Sequence, residues 1–145
     1  MADAQGQTNP QGQSEARKLA HVERIPIRWG DMDAMGHVNN IVYFRYMEQA
    51  RISWFEQLLP GREPWKTTGI VIANASCNFR RAMTYPGTVE VKVYVARPGG
   101  SSVSTYYELS MESEIYADGA AVVVFIDMQT QKPLRIPEEI RSLLQ

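Results

Sequence analysis

Two hydrophobic periods run along the chain, and they change over near Gly69. Between Ile41 and Leu59, Tyr43, Met47, Ala50, Trp54 and Leu58 recur at helical spacing, with Arg45, Gln49 and Glu56 on another face. That pattern predicts one long amphipathic helix. Ile41, Phe44 and Phe55 add a second apolar side, so more than one neighbour is expected to cover it. Asn39 or Asn40 suits the N-cap, and Pro60-Gly61 ends the helix. After Gly69 the period becomes 2. Ile70 to Thr84 reads as a strand with a polar middle (Asn74, Ser76, Asn78). Val89, Val91, Val93 and Val95 alternate with Glu90, Lys92 and Tyr94, and Val103, Thr105, Tyr107, Leu109 and Met111 alternate with Ser102, Ser104, Glu108 and Glu112. Ala120 to Met128 is almost wholly apolar, as in a strand buried on both faces.

Tyr85-Pro86-Gly87, Pro98-Gly99-Gly100 and Asp118-Gly119 supply the expected turns. Upstream, Val22 to Trp29 alternates weakly around Pro26, which suits a first strand at a sheet edge. Pro137 to Leu144 reads as a short terminal helix. The order is therefore strand, long helix, then four strands. It predicts an α+β domain in which the helix lies across an antiparallel meander.

Composition narrows the partners. The 145 residues make one domain, and the 44% apolar share supports a real core. With 15 basic and 16 acidic side chains the net charge is -1, which offers nucleic acid no basic face. No apolar run is long enough to span a membrane. Residues 1–20, rich in Gln, Gly, Ser and Ala, read as a flexible leader ahead of a domain over 21–145, and a cytoplasmic protein is expected. The single cysteine, Cys77, excludes an intrachain disulfide and reads as a small strand residue. No His/Cys cluster suggests a metal, and no Gly-x-Ser-x-Gly elbow suggests a serine nucleophile.

The segment Gly30 to Asn40 carries the candidate chemistry. It is a loop by composition and leads straight into the helix N-terminus, where unpaired N–H groups and a partial positive charge can stabilise an oxyanion. Asp33 lies seven residues before Asn40 and within reach of the same volume. By themselves Asp31 and Asp33 read as turn residues capping the helix, and His37 as a histidine bonding loop backbone. Glu48 and Arg51, three apart, suit an ion pair on the helix or across a subunit boundary.

The run Arg28-Trp29-Gly30-Asp31-Met32-Asp33-Ala34-Met35-Gly36-His37-Val38-Asn39-Asn40, followed by Tyr43, Glu48, Ala50 and Arg51, resembles the signature of hotdog-fold thioesterases. The nearest set is the 4-hydroxybenzoyl-CoA thioesterase-like acyl-CoA thioesterases. The resemblance implies a single hotdog domain, a five-stranded antiparallel sheet wrapped around one long central helix. It implies Asp33 as the catalytic carboxylate, a backbone N–H at or near Asn40 as oxyanion donor, and His37 as the signature histidine. Met35 departs from the asparagine that plant relatives use in catalysis. Arg80, Arg81, Arg97, Gly100 and Ser101 become candidates for coenzyme A, with arginines on phosphates and the glycine turn beside the pantetheine arm. Coenzyme A would enter as part of the substrate, with no separate cofactor. The family pairs two sheets into one and builds each site at the shared boundary, so a homodimer at least is expected, and a homotetramer is the larger alternative. A non-catalytic acyl-thioester binding module and an acyl-acyl-carrier-protein thioesterase are the rival functions.

Overall fold

The computed structural model describes residues 16–61 and 64–145. It contains β1 (Arg17–Pro26), a 3-10 turn (Trp29–Asp31), α1 (Asn40–Leu58), the short α2 (Pro64–Thr67), β2 (Thr68–Phe79), β3 (Thr88–Ala96), β4 (Ser102–Met111), β5 (Glu114–Asp127) and α3 (Glu138–Leu144). The five strands form one antiparallel sheet in the order β1-β3-β4-β5-β2. The alternating valines of β3 and their partners on β4 and β5 face α1. Val89, Val91, Val93, Leu109, Val123 and Phe125 are fully buried, and α1 presses Tyr43, Met47, Ala50 and Trp54 onto them. Burying each such side chain contributes roughly 1.5–3 kcal/mol, so the helix is held by packing rather than by its own propensity.

Four expectations change. Arg17 to Ala20, expected in the leader, belong to β1, because Arg17 to Leu19 find ladder partners in Ala96, Val95 and Tyr94. Residues 1–15 lie outside the described residues. Only β3, β4 and β5 form a meander. The segment 80–87 is too long for a hairpin, so β2 crosses to the far edge and pairs with β5. Asp118-Gly119 is not a turn but the middle of β5, paired with Asn78 and Cys77. The β4–β5 turn is made instead by Glu112 and Ser113, both in the left-handed region at φ 49° and 68°.

The fourth concerns the apolar run of β5, which alternates. Ala121, Val123 and Phe125 are buried, while Ala120, Val122 and Val124 are half-buried on the face away from α1. Gly119 has a packing reason. A Cβ there would sit 2.5 Å from the Met47 sulfur and 2.8 Å from the Ser76 carbonyl. Only a residue without a side chain lets α1 descend onto the sheet at this point.

Candidate active site

The loop from Arg28 to Asn39 is a small scaffold of backbone bonds. Asp31 closes the 3-10 turn by accepting the Arg28 N–H on Oδ2 at 2.9 Å. Met32 and Val38 then bridge antiparallel, and the Asp33 N–H donates to the His37 carbonyl at 2.9 Å. Gly36, at φ +81°, allows the reversal, and its N–H donates to the Asp33 carbonyl. The Asn39 N–H returns to the Asp31 carbonyl at 3.0 Å, which ties the two ends of the loop at the start of α1.

Two tyrosines of α1 hold this scaffold from below. The buried Tyr46 hydroxyl donates to Asp31 Oδ2 at 2.7 Å. Burial, and then that carboxylate, push the Tyr46 phenol far above its ordinary range, so it stays a proton donor. The Tyr43 hydroxyl donates to the Arg81 carbonyl and accepts the Met83 N–H, each at 3.2 Å, and the Val38 N–H donates to the Met83 carbonyl at 2.8 Å. Loop 28–39 and segment 80–87 are thereby fastened to one helix face. Asp31 thus braces the loop and does not cap α1, whose N-cap is Asn39.

Two of the groups left uncommitted are chemically specific. Asn39 is the N-cap, its side chain accepting the Ile41 N–H at 3.1 Å and its carbonyl accepting the Val42 N–H. The Asn40 N–H has no acceptor among the described residues. Half-buried Asp33 spends Oδ1 on the Met35 N–H at 2.9 Å and leaves Oδ2 unengaged among the described residues. One carboxylate oxygen and one helix-terminal N–H suit attack on a carbonyl and capture of its oxyanion. The side chain of His37 is exposed and makes no hydrogen bond among the described residues, so it does not brace the loop backbone. Cys77 is half-buried on β2. Burial first, then the negative Asp118, push its thiol up to about 12, which suits a strand residue and not a nucleophile.

The expected coenzyme residues divide into two groups. Arg80 and Arg81 follow β2 at the loop end of the sheet and are occupied: Arg80 pairs with Asp118, and Arg81 pairs with Glu114 and lies over the Tyr116 ring. Arg97, Gly100 and Ser101 lie at the opposite end, separated by the length of β4, roughly 30 Å for its ten residues. There the Gly99 and Gly100 carbonyls accept the Arg141 guanidinium at 2.6 and 3.1 Å, and Gly100 also accepts the Ile136 N–H. One chain does not bring the two groups together.

Three roles escaped the sequence. Tyr46 looks like core until its hydroxyl is followed to Asp31. Arg141 sits in a terminal helix that carries no motif. Arg51 does not pair with Glu48, which lies near Arg45 instead; it is buried and donates to the Tyr107 hydroxyl at 3.0 Å. Its position was a signal, four residues after Met47 and three before Trp54 on the buried stripe.

A model of the thioesterase-like superfamily matches residues 27–144, nearly the whole described domain. The chain belongs to that superfamily. Among curated proteins it is 31% identical over 125 residues to YsmA of Bacillus subtilis (strain 168), covering 83% of this chain and 82% of that one. It is 28% identical over 127 residues to the long-chain acyl-CoA thioesterase FadM of Escherichia coli (strain K12), covering 84% and 95%. Among solved structures, PA2801 of Pseudomonas aeruginosa matches at 34% identity with a TM-score of 0.79, over 88% of this chain and all (100%) of that one. A thioesterase from Thermus thermophilus, in complex with coenzyme A and zinc, matches at 29% identity and a TM-score of 0.77, over 87% and 92%. The sheet wrapped on one long helix is thus the hotdog architecture, and thioester hydrolysis is the class of activity. Among the described residues no helix is long and apolar enough to cross a membrane.

Proposed function

We propose that this chain hydrolyses acyl-CoA thioesters, with Asp33 as nucleophile or general base and the Asn40 N–H receiving the thioester oxygen. The observation that carries the reading is a pair of uncommitted groups at the junction of the braced loop with α1, the Asp33 Oδ2 and the first free N–H of the helix. So few groups are enough because the leaving group is a thiolate. Its conjugate thiol has a pKa of about 8.5, so it departs without a dedicated acid. Similarity to an acyl-CoA thioesterase and to a thioesterase complexed with coenzyme A favours coenzyme A over a carrier protein as the thiol.

The split of the coenzyme residues follows from assembly. Strand β2 is a long outer strand with Val71, Ile72 and Phe79 substantially exposed, and an edge of that kind invites pairing. Two copies joined antiparallel through β2 form one continuous sheet. Antiparallel pairing brings the loop end of one copy to the same side as the 98–101 turn of the other. In the proposed homodimer each site therefore takes Asp33, Asn40 and exposed His37 from one copy and Arg97, Gly100 and Ser101 from its partner. A cytoplasmic setting accords with a coenzyme A substrate. The test is release of free thiol from a panel of acyl-CoAs by wild type and Asp33→Asn. Loss of turnover with retained binding is expected. Full activity in the variant would overturn the assignment of Asp33, and binding without turnover by wild type would favour an acyl-thioester binding module.

A further inference from the structure

A groove of about 370 Å³ runs between α1 and the edge strand β2, and most of its lining is apolar, including Ile41, Phe44, Met47, Ile72 and Ala121. Its α1 wall begins at Ile41, beside the helix N-terminus, and passes through Phe44 and Glu48 to Arg51. The ten steps of helix from Ile41 to Arg51 make that wall about 15 Å long. The near end adjoins the proposed oxyanion donor. At the far end stands a cation.

Arg51 is only 8% exposed, yet it has no carboxylate partner among the described residues. Its one hydrogen bond goes to a neutral phenol. The proton order follows from the distances. The Thr105 hydroxyl donates to the Ala121 carbonyl at 2.8 Å, so at 2.7 Å it must accept from the Tyr107 hydroxyl, which in turn accepts from Arg51. This chain orients the guanidinium but supplies no negative charge. The remaining N–H groups of Arg51 are neither bonded nor sealed off, and the residue lines the groove. Glu48 at the rim is half-exposed and engaged by Arg45 at 3.6 Å. A buried cation without a counter-charge is unfavourable, and a carboxylate received on its fork relieves it.

We infer that the groove takes an acyl group of roughly ten to twelve carbons, at C–C bonds of about 1.5 Å in zigzag, carrying a carboxylate at its far end that Arg51 receives. The inference rests on the thioesterase reading, since it places the thioester at the N-terminus of α1. It is tested by titration calorimetry with two non-hydrolysable CoA thioethers, decyl-CoA and its counterpart with a terminal carboxylate. Wild type should bind the carboxylate-tipped analogue about tenfold more tightly or better. Arg51→Met should abolish that difference while binding decyl-CoA as wild type does. Equal binding of the two analogues by wild type overturns the inference, and this comparison does not depend on the variant folding. Equal weakening of both analogues by Arg51→Met overturns it as well. Hydrolysis of the two matching thioesters separates this inference from its parent. Turnover without carboxylate preference sinks the Arg51 assignment alone, whereas preferential binding without turnover sinks the thioesterase reading alone.

Discussion

The two ends of the sheet are braced in similar ways and finished differently. At the loop end, Tyr46 and Tyr43 reach up from α1 to hold Asp31, Arg81 and Met83. At the turn end, Arg141 and Ile136 reach across from the C-terminal segment to hold the Gly99 and Gly100 carbonyls, and Phe125 holds that of Ser101. The turn end thus has its carbonyls satisfied, and the space above Gly100 is open. The loop end retains an unspent carboxylate oxygen and an unspent N–H. Both ends are braced, and the proposed reaction uses the two unspent groups of the loop end. The turn offers a shaped backbone surface on which a ligand can lie.

The sharpest way to break this contrast is to remove the unspent oxygen. Asp33→Asn keeps the Oδ1 bond to Met35 available and should lower kcat on acyl-CoA by about 10²-fold or more, with an unchanged circular dichroism spectrum. A second experiment asks whether the two ends cooperate across a dimer. Asp33→Asn and Arg97→Glu should each be impaired alone, yet coexpression should restore about a quarter of wild-type activity, because each mixed dimer keeps one intact site. No recovery would show that both ends serve the same chain's site. A lesion midway between the ends supplies the control. Gly119→Val should cost about 1–3 kcal/mol through overpacking, read as a lower denaturant midpoint, and should not favour one end over the other. The smallest effect is expected from Tyr46→Phe. It should cost about 0.5–1.5 kcal/mol for the lost hydrogen bond and lower kcat several-fold with little change in KM. An equal effect on KM would mean that the brace serves binding instead.

Legibility in the sequence followed the strength of each local rule. The helix was legible almost to the residue because its stripe, N-cap and Pro-Gly stop agree. The valine and tyrosine strands were legible because alternation admits one register. Asp-Gly misled because it is a strong hairpin signal. At Gly119, however, the missing side chain serves contact with Met47, a demand that no local window contains. The true turn at Glu112-Ser113 is made by residues that enter the left-handed region at a cost, so its letters give no warning. The place of β2 was hidden for a related reason, since strand neighbours depend on which edge a crossing segment can reach. Within the site, Asp33 and the Asn39 cap were visible as motif and chemistry. The Tyr46–Asp31 bond and the separation of Arg97 from Arg80 required three-dimensional placement.

Gly119 also bears on how such a domain can diversify. Helix and sheet are two plates, and the residue under Met47 acts as a spacer of zero thickness. Small residues at Ala75 and Ala121, on the same face as Gly119, border the groove beside it. Each methyl group added in this row would raise the plate or narrow the gap without touching the loop that holds Asp33. On the proposed reading, the width of the acyl groove is set on the strands and the reaction on the loop, so a lineage or a designer can retune one and keep the other.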